Sequence, residues 1–354
     1  MIPVYVDGAK GEGGGQIVRS SLALSLVTGR PVTIENIRAQ REKPGLRRQH
    51  LTAASAAAAI GGGKLHGAQI GSQCLQFEPQ NVRAGTYWFD VGTAGSATLV
   101  LQTILPALLL ADGGSTVVLE GGTHNPWAPP FDFLQRAFLP LVCRMGPRVL
   151  AAIERHGFYP AGGGRFTVSI EPCAVLAGFD LLERGNIILC SARAIVANLP
   201  IHIVQREVRT MLHAMGWEAE WGRAEQVDAL GPGNVACIEV RSEHVTEIFT
   251  AFGRIGVRAE RVAAEVVEQA HAYLNSGATV GTYLADQLIL PLGISAWQSN
   301  GAGRQRGGSF RTLPLTQHST THSEVLRQFL EIDIHVEDAE DRTCLVRVSP
   351  GRLE

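Results

Sequence analysis

Two histidines stand four residues apart in TQHSTTHSEVL, at positions 318 and 322. On a helix that spacing puts both rings on one face, where they can share a metal ion. No glutamate follows the first, so the HExxH pattern of a zinc hydrolase is absent. A plainer reading is a capped helix start, with Ser319, Thr320 or Thr321 as N-cap and Glu324 as capping-box partner. A third reading makes neutral His318 a nucleophile toward phosphorus, with the helix N-terminus stabilising phosphate charge.

The N-terminal stretch VDGAKGEGGGQIVRSSLALSL has the outline of a phosphate loop: an apolar segment, four glycines, then a helix. It fails both familiar patterns. A Walker A loop needs Gly-Lys-Ser/Thr, and Gln16 occupies that place; counted from Gly11, the third glycine of G-x-G-x-x-G also falls on Gln16. A tight turn is the bland alternative. Two residues favour chemistry: Glu12 suits a metal ion, and Arg19, near the helix N-terminus, suits a phosphate. In IRAQREKPGLRRQH, Arg38, Arg41, Lys43, Arg47 and Arg48 crowd one Pro-Gly turn. Such a run is often a solvated surface, but so much like charge on one loop is costly unless anions visit. No aromatic residue interleaves, so phosphate contact is indicated and base stacking is not. Gln102 in LVLQTIL and Asp286-Gln287 in TYLADQLIL interrupt two apolar helices. The shared anomaly suggests one polar pocket, although satisfied core hydrogen bonds give the same pattern.

The order strand, loop, helix, strand, helix, two strands runs from Val4 to about Gln80 and recurs from about Thr86. A third copy reads GTYLADQLILPLGI as helix, GSFRTLPL as strand, HSEVLRQFL as helix, then EIDIHVE and CLVRVS as strands. The fold class is therefore α/β in α+β layers: three β-α-β-α-β-β units form one large domain, residues 1–182 and 277–354. The pattern breaks at 183–276, which reads as a smaller inserted α/β domain. Copies one and three bring the arginine cluster and His318 to corresponding strand-to-helix loops. HGFYPAGGGRF, from His156, is compatible with a hairpin or a substrate loop.

The 354 residues are 45% hydrophobic and 18% charged, as in ordinary globular proteins, with a net charge of −2. A polyanion partner therefore needs a local basic patch. Six cysteines without a CxxC pair point to reduced, mostly buried thiols. The start lacks a signal peptide, and the apolar run from Leu99 is too short to span a bilayer. No membrane association and a cytoplasmic location are expected.

DGAKGEGGGQIVRSSLALS, IRAQREKPGLRRQHLTA, GTAGSATLVLQT, GGTHNPWAPPFDF, RHGFYPAGGG, ERGNI and YLADQL closely resemble the RNA 3′-terminal phosphate cyclases, from residue 5 to about 330. The resemblance implies an ATP-dependent enzyme acting on RNA 3′-phosphate ends through a covalent histidine–AMP and an RNA-adenylate, closing a 2′,3′-cyclic phosphate. It places the nucleophile on His318. The adenylate site falls on Gln102, Tyr283, Leu284, Ala285, Asp286 and Gln287. Phosphate or RNA contacts fall on Arg19, Arg38, Arg41 and Gln49, and a divalent cation, Mg or Mn, on Glu12. His322 lies outside the family pattern and reads as structural. SAWQSNGAGRQRGGSF departs from the pattern, and Arg304 and Arg306 read either as an RNA-contacting loop or as a linker. Other function classes are a cyclase-like binding protein of ribosome assembly, which would lack the nucleophile, and an enolpyruvyl transferase, which would form no covalent nucleotide. A dinucleotide oxidoreductase is disfavoured by the failed glycine spacing.

Overall fold

In Val4–Asp7 side chains alternate between core and solvent, the period-two signature of a strand, β1. The computed structural model describes residues 2–298, 303–339 and 341–351. After β1 come α1 (Gly15–Thr28), β2 (Val32–Glu35), α2 (Arg48–Gly61), β3 (Lys64–His66) and β4 (Leu75–Glu78). The second unit has β5 (Thr86–Asp90), α3 (Ala97–Leu108) and β6 (Ser115–Gly121). Its second helix is α4 (Phe131–Phe133), a π-turn at Leu134–Phe138, then α5 (Leu139–Arg144), followed by β7 (Arg148–Arg155) and β8 (Gly164–Glu171).

A three-residue strand, β9 (Phe179–Leu181), precedes the insertion. The insertion carries β10 (Ile187–Ala197), α6 (His202–Met215), β11 (Gly222–Gln226), β12 (Gly233–Ser242), β13 (Thr246–Phe252) and α7 (Ala259–Leu274). The chain then returns with α8 (Thr282–Trp297), β14 (Gly308–Thr312), α9 (Gln317–Phe329), β15 (Ile332–Asp338) and β16 (Cys344–Pro350).

Sheet order separates the repeats from the insertion. The three units read β1-β2-β4-β3, β5-β6-β8-β7 and β9-β14-β16-β15, each with its first two strands parallel and the rest antiparallel. The insertion reads β11-β10-β12-β13, with its first strand inside the sheet. The third unit is thus completed by β9, which pairs with β14 across the whole insertion.

Helices rather than sheets bring the units together. Helix α1 packs on α2, α3 and α9, one or more from every unit. Leu22 and Leu24 of α1 are fully buried, contributing about 1.5–3 kcal/mol each. One apolar core runs through all three units, while the insertion buries its own, with Val208, Ile238 and Val266 at its centre. The HGFYPAGGG stretch joins the two: Phe158 packs on Ile195, Ala197 and Val235, and His156 pairs with Ala229. It connects β7 to β8 as a hairpin, and its apolar side seats the insertion.

An ion-pair chain reinforces that joint. Asp132 accepts from Arg193 at 2.7 Å and meets His124 at 2.8 Å, and Arg193 also donates to Glu225. Burial opposes ionisation of Asp132, but the hydrogen bond with His124 and the charges of His124, Arg193 and Arg136 hold its carboxyl well below the usual range. All six cysteines are free; Cys190 and Cys344 are buried, Cys74 is exposed and the others are half-buried, so fewer are buried than composition suggests. Among the described residues no helix is long and apolar enough to cross a membrane.

Candidate active site

His318 lies in the first turn of α9, whose N-cap is Thr316: its hydroxyl accepts from the Ser319 N–H at 3.3 Å. The cap therefore lies before His318, and Ser319, Thr320 and Thr321 are inside the helix. Glu324 closes no capping box and instead pairs with Lys10 of the glycine loop at 3.0 Å. The His318 side chain is 39% exposed, and its Nδ1 is 3.3 Å from Asp286 Oδ2. His322 Nδ1 comes within 3.5 Å of Asp286 Oδ1. Among the described residues neither ring nitrogen of His322 has a hydrogen-bond partner. The structural reading of His322 thus misses its approach to the same carboxylate.

Asp286 also accepts from Gln16 Nε2 at 3.0 Å and from Gln287 Nε2 at 3.3 Å. Burial alone would raise its pKa. The two histidines override that and hold the carboxyl far below the ordinary range, so it stays ionised. Gln287 in turn accepts from the amide of Gln102, joining α8 to α3. The two glutamines share a further feature. Pro106 follows Gln102 by four residues and Pro291 follows Gln287 by four. A proline has no N–H to return to the carbonyl four residues back, so each glutamine carbonyl lacks its usual helical donor.

The glycine loop docks on α9. The Glu12 N–H donates to Thr321 Oγ1 at 3.0 Å, and the Glu12 carboxylate pairs with Arg41. Gly11 has φ +60, and a Cβ there would lie 2.1 Å from Thr321 Oγ1, so glycine is required on both counts. Gly15 faces His50, whose Nε2 would lie 2.2 Å from an added Cβ. His50 is buried and held neutral, its pKa lowered to about 3 by burial and by Arg19, Arg38 and Arg47. Arg19 drops to about 10 through burial, partly offset by Asp286, and so remains charged.

These side chains line one cavity of about 1480 Å³. That exceeds the usual few hundred to 1,000 Å³ of a single small-ligand site, leaving room for more than one small ligand. His318, Asp286, Gln287, Tyr283, Gln102, Glu12, Arg19, Arg38, Arg41 and Gln49 all contribute to its wall. Arg47 and His50 do so too, while Lys43 and Arg48 do not. Leu284 and Ala285 depart from expectation: their side chains are fully buried in the apolar core, as the period of α8 requires when Asp286 and Gln287 face the cavity. Arg38 donates to the carbonyls of Lys43 and Gly45, shaping its own loop. Gln49 accepts from the Ser96 N–H at 3.1 Å and so ties α2 to the N-cap of α3. Arg306 donates to the Ala296 carbonyl at the end of α8, and Arg304 to the Val175 carbonyl; Gly301 and Ala302 lie outside the described residues.

Sequence reasoning passed over Gln16 and His50 as chemistry. Gln16 appeared only as the residue that spoils two glycine motifs, and nothing local marks it as the partner of Asp286. Among the described residues no group of three His, Cys, Asp or Glu side chains is placed to hold a metal ion. Glu12 offers one carboxylate, already engaged by Arg41.

A family model described as RNA 3′-terminal phosphate cyclase matches residues 10–336. A protein of that name from Koribacter versatilis is 49% identical over 339 residues, covering 96% of this chain and 93% of its own. Those from Ectopseudomonas mendocina and Ralstonia nicotianae are each 47% identical over 98% of this chain, and over 98% and 96% of their own lengths. A match of this extent, over a chain whose repeats and insertion form one continuous structure, makes it a member of the RNA 3′-terminal phosphate cyclase family.

Proposed function

We propose that the chain uses ATP to convert an RNA 3′-terminal phosphate into a 2′,3′-cyclic phosphate, with His318 as the covalent nucleophile. The observation that carries the assignment is the contact of His318 Nδ1 with the buried, ionised carboxylate of Asp286. A carboxylate at Nδ1 favours the tautomer with its proton there, leaving the Nε2 lone pair free.

In this reading Nε2 attacks the α-phosphorus of ATP; an N–P bond forms and the bond to pyrophosphate breaks. Asp286 balances the positive charge that the phosphorylated imidazole acquires. An oxygen of the RNA 3′-phosphate then attacks the same phosphorus, taking AMP and freeing His318. Finally the 2′-hydroxyl attacks the activated 3′-phosphorus, loses its proton and expels AMP. No strong base is needed, because the hydroxyl is already held beside phosphorus. Arg19, Arg38 and Arg41 supply positive charge for the phosphoryl oxygens, and the N-terminus of α9 adds its own. Gln102, Tyr283 and Gln287 form the adenylate wall, with Leu284 and Ala285 limited to backbone contact. Residues 1–182 and 277–354 act as the catalytic domain and 183–276 as an inserted domain.

A divalent cation, Mg or Mn, has no preformed cage here. The residues fit at most an ion carried in on the nucleotide's phosphates, with Glu12 as its single protein carboxylate once exchanged from Arg41.

The reading is tested by incubating the protein with ATP, magnesium and a 3′-phosphorylated oligoribonucleotide. The expected product resists phosphatase at its 3′ end, with one AMP released per end converted. Ends that stay phosphatase-sensitive while the protein is folded would refute it.

A further inference from the structure

Trp127 is 94% exposed, yet its backbone is fixed at φ +64, a left-handed conformation that bulky side chains rarely take. Its loop is rigid. Pro126, Pro129 and Pro130 flank it, Asn125 Nδ2 donates to the Ala94 carbonyl at 2.5 Å, and Thr98 Oγ1 donates to the Pro129 carbonyl at 2.8 Å. The loop therefore presents a large indole to solvent from a restrained backbone, so less backbone freedom is lost on binding. The ring belongs to the wall of the cavity that contains His318. A backbone bridge between His124 and Phe158 sets the loop beside that of Tyr159, a second exposed aromatic of the same wall. Arg254, from the insertion, lines the cavity as well.

The arginine loop has phosphate donors and no aromatic partners, so any recognition of bases must come from elsewhere. We infer that Trp127, with Tyr159 on the same cavity wall, is a stacking platform for bases of the single-stranded RNA that leads to the reacting 3′ end. Every base has a π-face, so such a platform holds the strand without reading its sequence. The inference rests on the proposed function and adds to it the place where the strand lies.

The test compares binding of a 3′-phosphorylated oligoribonucleotide with that of a nucleoside 3′-phosphate, in wild type, Trp127→Ala and Trp127→Phe. The oligonucleotide should bind wild type more tightly than the nucleoside. Trp127→Ala should weaken oligonucleotide binding about tenfold and largely erase that preference, and Trp127→Phe should restore most of it. A preference unchanged in Trp127→Ala overturns the inference. So does a loss of ATP affinity as large as the loss of RNA affinity, which would assign Trp127 to the adenine. A wild type that binds RNA by this platform but never cyclises it would refute the functional reading and leave the platform standing.

Discussion

Asp286 meets Gln16, Gln287, His318 and His322, and its charge is what the two histidines face inside the protein. Asp286→Asn keeps the shape but removes the charge. It should lower the rate of AMP attachment to the protein by about 10²-fold while leaving the fold intact, measured by rapid-mix labelling at saturating ATP. An unchanged rate would show that Asp286 serves packing alone. Part of this scale was legible in the sequence. Gln102, Asp286 and Gln287 stood out because a polar side chain within an apolar helix needs a partner. In the sequence His322 reads as structural and Gln16 only as a break in the glycine motifs, because their significance lies in distance to Asp286, which no local pattern encodes.

At the scale of elements, the glycine loop is a wall pinned to α9 rather than a nucleotide motif in its own right. Gly11→Ala adds an atom against Thr321 at a backbone angle alanine disfavours. It should cost on the order of 2 kcal/mol in stability and displace Glu12, seen as a lowered denaturant midpoint and slower labelling. The joint to the insertion behaves differently. Arg193→Met leaves Asp132 buried among fewer cations, a loss of about 3 kcal/mol. Calorimetry should then show the insertion melting ahead of the large body, where wild type melts as one. Both helices read in the third copy form, as α8 and α9, although α9 begins five residues earlier than HSEVLRQFL. β9, only three residues long, finds its partner β14 across the whole insertion, a pairing that no local pattern encodes. HGFYPAGGG was legible as a turn, but that it seats another domain is a tertiary fact.

The whole molecule is three like units around shared helices plus an insertion of different strand order; of its two buried acids, Glu247 ties the insertion to α8 and Glu207 braces it internally. Burial raises Glu247 to about 8 despite its hydrogen bond from the Gly281 N–H at the start of α8, and raises Glu207 to about 7 despite its bond from Asn234. Both favour the protonated form when folded. Their contribution to stability is therefore complete below about pH 4.5 and is lost as pH rises through 7 and 8. Glu247→Gln should reduce the fall in melting temperature between pH 5 and pH 9 by a few °C. An equal fall in the variant would show that Glu247 is ionised throughout. Convergence of the three units on His318 is what would make it a nucleophile, and covalent labelling tests this directly. Protein incubated with α-labelled ATP and magnesium should acquire acid-labile, alkali-stable label, and His318→Ala should acquire none. Label that persists in His318→Ala, or a folded wild type that takes no label, would contradict it.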